Sequence, residues 1–277
     1  MLSTTLSRRG LLRFSPLARI GIALVSLVSL LAFTWPLYLP ESAFGLAMTQ
    51  DRYWVFFLVI PLALFFLGLE INRGKIEMTA LALLAVLAAL AAALRQIGAG
   101  AVGIEPMWFL VILAARVFGA TFGFSLGAIA MALSALLTGG IGPWLPFQIM
   151  AASWIGLLAG SLPQRVRGRL EIAMLMVIAL VAGMSFGFLM DLQLWPWLLG
   201  TETVISFVPG AGVEENLSRF VRFHFLTAMA WDIPRSILTA TLIAITGAPI
   251  LNALRRAQKR VVFLDDLSER AKAQKAL

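Results

Sequence analysis

"IEMTALALLAVLAALAAAL", residues Ile76 to Leu94, is followed almost at once by "GAGAVG" at residues 98–103. The glycines fit G-x-G-x-x-G, the turn that cradles a dinucleotide pyrophosphate. That turn works only behind a short buried strand, at the opening of a helix whose first N–H groups hold the phosphates. Here the preceding run is 19 residues rich in Ala and Leu, which favour helix. After the glycines comes "IEPMW", where Pro106 suits the start of another helix but builds no phosphate cradle. The glycines therefore join two apolar helices, and what such a loop does depends on where those helices sit.

Composition places them. Of 277 residues, 60% are hydrophobic and 13% are charged, whereas a soluble domain carries about 25% charged residues. A water-soluble core could not hide this much apolar surface, so the chain reads as an all-α, polytopic membrane bundle. With no Cys, nothing points to disulfides, iron–sulfur clusters or thiol catalysis.

Eight spans are expected: Ile20–Tyr38, Tyr53–Leu69, Ile76–Leu94, Met107–Phe118, Phe122–Leu137, Trp144–Leu162, Ile172–Met190 and one within Phe223–Leu254. The fourth and fifth come from one long apolar stretch that breaks at "RVFGATFG", and Pro234 is expected to bend the last. With the N-terminus in the cytoplasm, the inner side collects Arg8, Arg9, Arg13, Arg19, Arg73, Lys75, Arg116, Arg165, Arg167, Arg169 and the tail from Arg255 to Lys275. These are 17 of the 22 basic residues. Outside fall Arg52, Arg95, Arg219 and Arg222, and Arg235 lies within a span. This bias places both termini inside a bacterial cytoplasmic membrane. The net charge of +8 is then a topology signal and a lipid contact, not a nucleic-acid arm. The start "SRRGLLR" imitates a twin-arginine export signal, but the apolar run behind it is long enough to span, and an uncleaved first helix is expected.

Three loops then face outside: the glycine loop with Glu105, "TGGIGPWLPFQ" at 138–148, and "DLQLWPWLLGTETVISFVPGAGVEENLSR" at 191–219. Irregular, partly apolar loops on one membrane face are expected to cap a ligand pocket. "GFSLG" at 123–127 and "GMSFG" at 183–187 imitate a nucleophile elbow. They lie inside membrane helices, where their G-x-x-x-G spacing suits close helix packing instead. A single His leaves no H-E-x-x-H zinc site and no His-rich metal site. Nothing calls for a cofactor. The only Gly-Lys pair, Gly74-Lys75, lacks the rest of a P-loop, so a motor would have to be another chain. In "RFHFLTAMAWDIPRS", Asp232 and Arg235 are helix neighbours expected to pair, and His224, Trp231 and Arg235 share a stripe at i, i+7 and i+11. A charge near mid-membrane costs about 2.5–3.5 kcal/mol and normally faces the bundle interior or a wet cavity. Small residues at Ala82, Ala85, Ala89, Ala92 and Ala93 permit close approach, either by the bundle itself or by a partner.

The glycine loop "GAGAVGIEP" behind its Ala-rich helix, "FGFSLGAIAMALSALLTGGIGPWLPFQIMAASWIGLLAG" and "FHFLTAMAWDIPRS" before a basic tail together resemble the substrate-binding S components of energy-coupling-factor (ECF) vitamin transporters. The resemblance covers roughly Ile76 to Arg260. It implies residues 1–75 as a stub with two extra helices, 76–260 as a six-helix substrate-binding core and 261–277 as a basic tail. The extra helices resemble the extended actinobacterial branch associated with cobalamin-like substrates. It further implies a non-enzymatic vitamin-capture subunit that docks, through Ala82, Ala85 and Ala89, on a transmembrane coupling protein carrying two cytoplasmic ATPases. The expected substrate contacts are Glu105, Trp144, Gln148, Trp195, Trp197, His224, Trp231, Asp232 and Arg235. The alternatives are a membrane-embedded enzyme using Asp232, His224 and Ser185 or Ser125, or an accessory membrane protein without a ligand.

Overall fold

The computed structural model describes residues 11–12, 14–38, 78–98, 101–198 and 203–275. Among these every regular element is helical. In chain order they are α1 (Pro16–Phe33), α2 (Met78–Gln96), α3 (Met107–Phe118), α4 (Ala120–Thr138), α5 (Leu145–Ser161), α6 (Arg169–Leu198), α7 (Val213–Phe223) and α8 (Met229–Lys275). A π turn, His224–Ala228, joins α7 to α8. Among the described residues five helical stretches are long and apolar enough to cross a membrane, against the eight spans expected; α3 and α5 are apolar but shorter. The expected span Tyr53–Leu69 lies outside the described residues.

The bundle is organised around α3. All of its residues but Phe109 are buried, and at 12 residues it is about 18 Å long, well short of a bilayer core of about 30 Å. It ends at Gly119, whose φ of 97° suits glycine and turns the chain into α4. Helix α4 packs most extensively on α5 and on α2, and α6 packs on α8.

The α4–α5 contact is backbone against backbone at two points. A side chain at Gly123 would run into the Gly156 carbonyl, and one at Gly127 into that of Ala152. At the α6–α8 contact, Gly183 faces Ser236 and Gly187 faces the Asp232 carboxylate. The two elbow-like pentapeptides are therefore helix-packing motifs. Small residues let apolar helices approach where lipid supplies no hydrophobic drive between them.

Helix α1 packs on α5 and α6. Its Ser26 hydroxyl accepts the Trp154 indole N–H at 3.0 Å, and Phe33 meets Phe147 edge-on at 4.9 Å.

The segment 191–219 departs from the loop expected of it. Helix α6 runs on to Leu198, and an amphipathic helix, α7, begins at Val213. Leu192 and Trp195 on α6 pack with Phe207, Phe220 and Phe223. Asn216 ties the intervening turn, accepting from the Val208 N–H and donating to its carbonyl. Glu214, Glu215, Arg219 and Arg222 lower the mean hydropathy here and conceal the helix from a search for spans. Helix α8 runs on through Pro234 and Pro249, and the departure from α geometry lies upstream of Pro234, at the π turn.

Candidate functional site

Ionic groups occupy both ends of α3. At its C-terminal end Arg116 is fully buried. Its Nε meets Glu171 Oε1 at 2.7 Å, and its other nitrogens donate to the carbonyls of Leu162, Pro163 and Val166. Arg255 of α8 completes the cluster on Glu171 at 2.6 and 2.8 Å. Counted in the sequence among the inner-side basic residues, Arg116 also ties α3, α6 and α8 together.

The second cluster begins with the glycine loop. Val102 and Gly103 adopt left-handed φ of 49° and 72°, and a side chain at Gly103 would strike the Trp231 carbonyl of α8. The glycine lets the loop lie directly on α8, and this aims the buried Glu105 at two guanidiniums. Glu105 Oε1 accepts from Arg95 Nε at 3.1 Å, and Oε2 accepts from Arg235 Nε at 3.1 Å and from Trp108 Nε1 at 3.0 Å. Burial by itself would raise the Glu105 pKa. The Arg235 and Arg95 charges and the Trp108 N–H outweigh it and hold the carboxyl below the usual range.

From Arg235 the cluster continues along α8. Arg235 Nη1 donates to Asp232 Oδ1 at 2.5 Å, and the guanidinium lies 5.2 Å from the Phe186 ring centroid. Asp232 Oδ2 has no hydrogen-bond partner and lies 4.0 Å from His224 Nε2. His224 Nδ1 in turn meets Asp191 Oδ2 of α6 at 2.8 Å. Six side chains from α2, the glycine loop, α6, the π turn and α8 thus form one connected group.

The π turn corrects the stripe expected on the last span. In a uniform α-helix His224 aligns with Trp231, seven residues on. The wider i→i+5 turn takes up about one extra residue, so Asp232 aligns instead, and Trp231 is 47% exposed.

The structure therefore brings Glu105, His224, Asp232 and Arg235 together and adds Arg95 and Asp191. It does not gather the expected aromatic residues around them. Trp195 is fully buried, and its N–H is taken by the Ile205 carbonyl at 2.7 Å. The Trp144 indole donates to Gly140 within its own hairpin at 3.3 Å. Gln148 keeps a buried amide oxygen without a partner. The Trp197 side chain lies outside the described residues. An open depression of about 580 Å³ beside α7 is lined chiefly by Glu214, Glu215, Arg219 and Arg222. On α2, Ala82, Ala85, Ala89 and Ala93 face outward, while Ala92 is buried.

Residues 75–256, well over half of the chain, match the family model described as ECF-type riboflavin transporter, S component. The chain belongs to that family. ECF S components are multi-pass membrane proteins that capture a small molecule and work with the subunits of an ECF module. They are substrate-binding subunits of a transporter, not enzymes. Comparison with curated proteins and with solved structures gives no match. In this S component, Arg95 and Asp191 escaped the sequence reading because each looks like an ordinary loop-end charge. The one usable signal was that the sole His needs an acidic partner at its own membrane depth, and Asp191 closes the neighbouring span.

Proposed function

We propose that this S component captures a water-soluble heterocyclic vitamin at the Glu105 end of the bundle, which faces outside, and that riboflavin is its substrate. The observation that carries the site is the buried ionic group of Glu105, Arg235, Asp232 and His224, lodged where the glycine loop meets α8. Buried polar groups of fixed geometry discriminate strongly for a ligand that pairs with them. The unpartnered oxygens of Asp232 and Gln148 suit the N–H and O–H donors of such a heterocycle. The riboflavin assignment is supported by the description of the matching family.

A corrinoid such as cobalamin is the second reading. It is motivated by α1, a helix that precedes the matched region and packs on the core. Energy comes from two cytoplasmic ATPases carried by a transmembrane coupling protein, which docks on the outward face of Ala82, Ala85 and Ala89. Both termini lie in the cytoplasm.

Titration of the purified chain in nanodiscs tests this, with riboflavin fluorescence and cobalamin absorbance as readouts. One-to-one riboflavin binding without ATP, weakened at least tenfold by Arg235→Gln, is expected. Tight binding of cobalamin with no response to riboflavin would transfer the assignment to the corrinoid, and binding of neither would overturn the vitamin reading.

A further inference from the structure

The match to the S-component family begins at residue 75, yet α1, which lies ahead of it, ends beside the site. Pro36 stops this helix, because it has no N–H to continue the α ladder and its ring clashes with the carbonyl four residues back. The chain tightens instead into a 3₁₀ turn, Trp35–Leu37. Two side chains tie the turn to the end of α1. Thr34 Oγ1 donates to the Leu30 carbonyl at 3.0 Å, and the Tyr38 O–H donates to that of Leu31 at 2.8 Å. The Trp35 side chain is held inward and buried.

Trp35 meets a second, smaller core. Leu192, Trp195, Phe207, Phe220 and Phe223 cluster apart from the main core, and Leu37 packs against them. They build a cap from the end of α6, the turn around Phe207 and α7. Ring contacts run unbroken from Trp35 to the site. Trp35 lies 6.3 Å from Phe207, and Phe207 lies 5.4 Å from Trp195. Trp195 lies 5.6 Å from Phe220, which stacks 6.0 Å from His224. The hydrogen bonds of the cap close on the cap itself: Trp195 donates to Ile205, Asn216 pairs with Val208, and Arg219 Nη1 donates to the Thr203 carbonyl. Apart from α6 and the π turn, its neighbours along the chain, α7 packs chiefly on the Trp35–Leu37 turn.

Glu105, His224, Asp232 and Arg235 are buried, so a vitamin reaches them only when a covering element moves aside. Glu105 pins the glycine loop to Arg95 and Arg235 through charged hydrogen bonds. The cap is held to the rest of the bundle by apolar contacts, and elements with few outside contacts open at the lowest cost. We propose that Trp35 is a positioning residue for vitamin binding: it braces α7, holds the cap closed over the ionic group, and so sets the rate at which the vitamin leaves. The proposal rests on vitamin capture at that group. It gives α1 a part in retaining the vitamin, although α1 lies outside the family core.

Amide hydrogen exchange and riboflavin release, both in nanodiscs, test this. In Trp35→Ala the α7 amides should exchange about tenfold faster than in the parent, while those of α3 and α4 keep parental rates. Ser26→Ala removes the bond from α1 to Trp154 without touching the cap, and should leave α7 as in the parent. Radiolabelled riboflavin chased with unlabelled vitamin should leave Trp35→Ala about tenfold faster. Trp35→Phe keeps a ring and should recover part of the difference. Parental exchange in α7, or acceleration spread evenly over all helices, overturns the proposal. So does parental release from Trp35→Ala. If the parent itself does not bind riboflavin, the substrate assignment falls and the exchange rates alone decide whether Trp35 braces the cap. Should Trp35→Ala fail to fold, Leu37→Ala, which trims the same contact at its edge, carries both measurements.

Discussion

Replacing Glu105 with Gln isolates the load carried by the glycine loop. In the native protein this carboxylate accepts from Arg95, Arg235 and Trp108. After the change Arg235 retains Asp232 and Trp108 can donate to the amide oxygen. Arg95 keeps only the Ser134 hydroxyl at 2.9 Å, with a side chain 14% exposed. Stranding a buried charge costs about 3–5 kcal/mol, so Glu105→Gln is expected to destabilise the protein by about that much at pH 7. Arg95→Gln alone leaves Glu105 with two donors, and its effect should resemble one lost hydrogen bond to a charged group, about 1.5–3 kcal/mol. The double variant removes the stranded cation and should fall short of the sum by about 0.5–3 kcal/mol. The pH dependence has a definite sign. The folded Glu105 pKa lies below the ordinary value, so its contribution is fully present above the unfolded carboxylate pKa of about 4.3 and is lost as pH falls through the folded value. The stability gap between parent and Glu105→Gln should therefore be flat from pH 7 to about 5 and close in stronger acid. Denaturant unfolding in nanodiscs, read by Trp fluorescence, measures it. A gap below about 1 kcal/mol at pH 7, or one that persists unchanged at pH 3, would show that Glu105 does not hold Arg95 as a buried ion pair.

Gly187→Ala should push the Asp232 carboxylate from its seat and destabilise by about 1–3 kcal/mol, as overpacking does; thermal melting checks this, and a neutral result would place α6 and α8 farther apart. Glu171→Gln should destabilise by about 3–5 kcal/mol because it strands the fully buried Arg116, while joint replacement of Arg116 and Glu171 by Met should be much milder; unfolding curves that show simple additivity would contradict this. Ala85→Leu or Ala89→Leu on the exposed face of α2 should leave vitamin binding intact and abolish uptake in cells carrying the ECF module, because added bulk prevents close helix approach. Parent-like uptake in both would move the docking face elsewhere.

Composition and hydropathy alone make the chain legible as a helical membrane bundle, since apolar runs near 20 residues have one stable form in lipid. G-x-x-x-G spacing at Gly123–Gly127 and Gly183–Gly187 foretold close helix contacts for the same local reason. The Asp232–Arg235 pair was legible because i, i+3 neighbours meet on any helix. Long-range partners were not. Arg95, Glu105 and Arg235 converge only when the glycine loop folds onto α8, and Arg116 finds Glu171 55 residues away. The π turn was invisible as well. It moves the inner stripe from Trp231 to Asp232, a shift of one residue that no periodicity argument based on 3.6 residues per turn contains. Helix α7 was missed because its charged face masks Phe220 and Phe223 in a hydropathy average.

On the proposed function this S component captures a vitamin and leaves it chemically unchanged. Mass spectrometry of the small molecule extracted from the chain, purified without its partners from cells grown in rich medium, tests this most directly. Expected are about one equivalent of a single intact heterocyclic vitamin, riboflavin foremost, and its loss from the Arg235→Gln protein. Recovery of a chemically altered product, or of lipid alone from parent and variant alike, would contradict it.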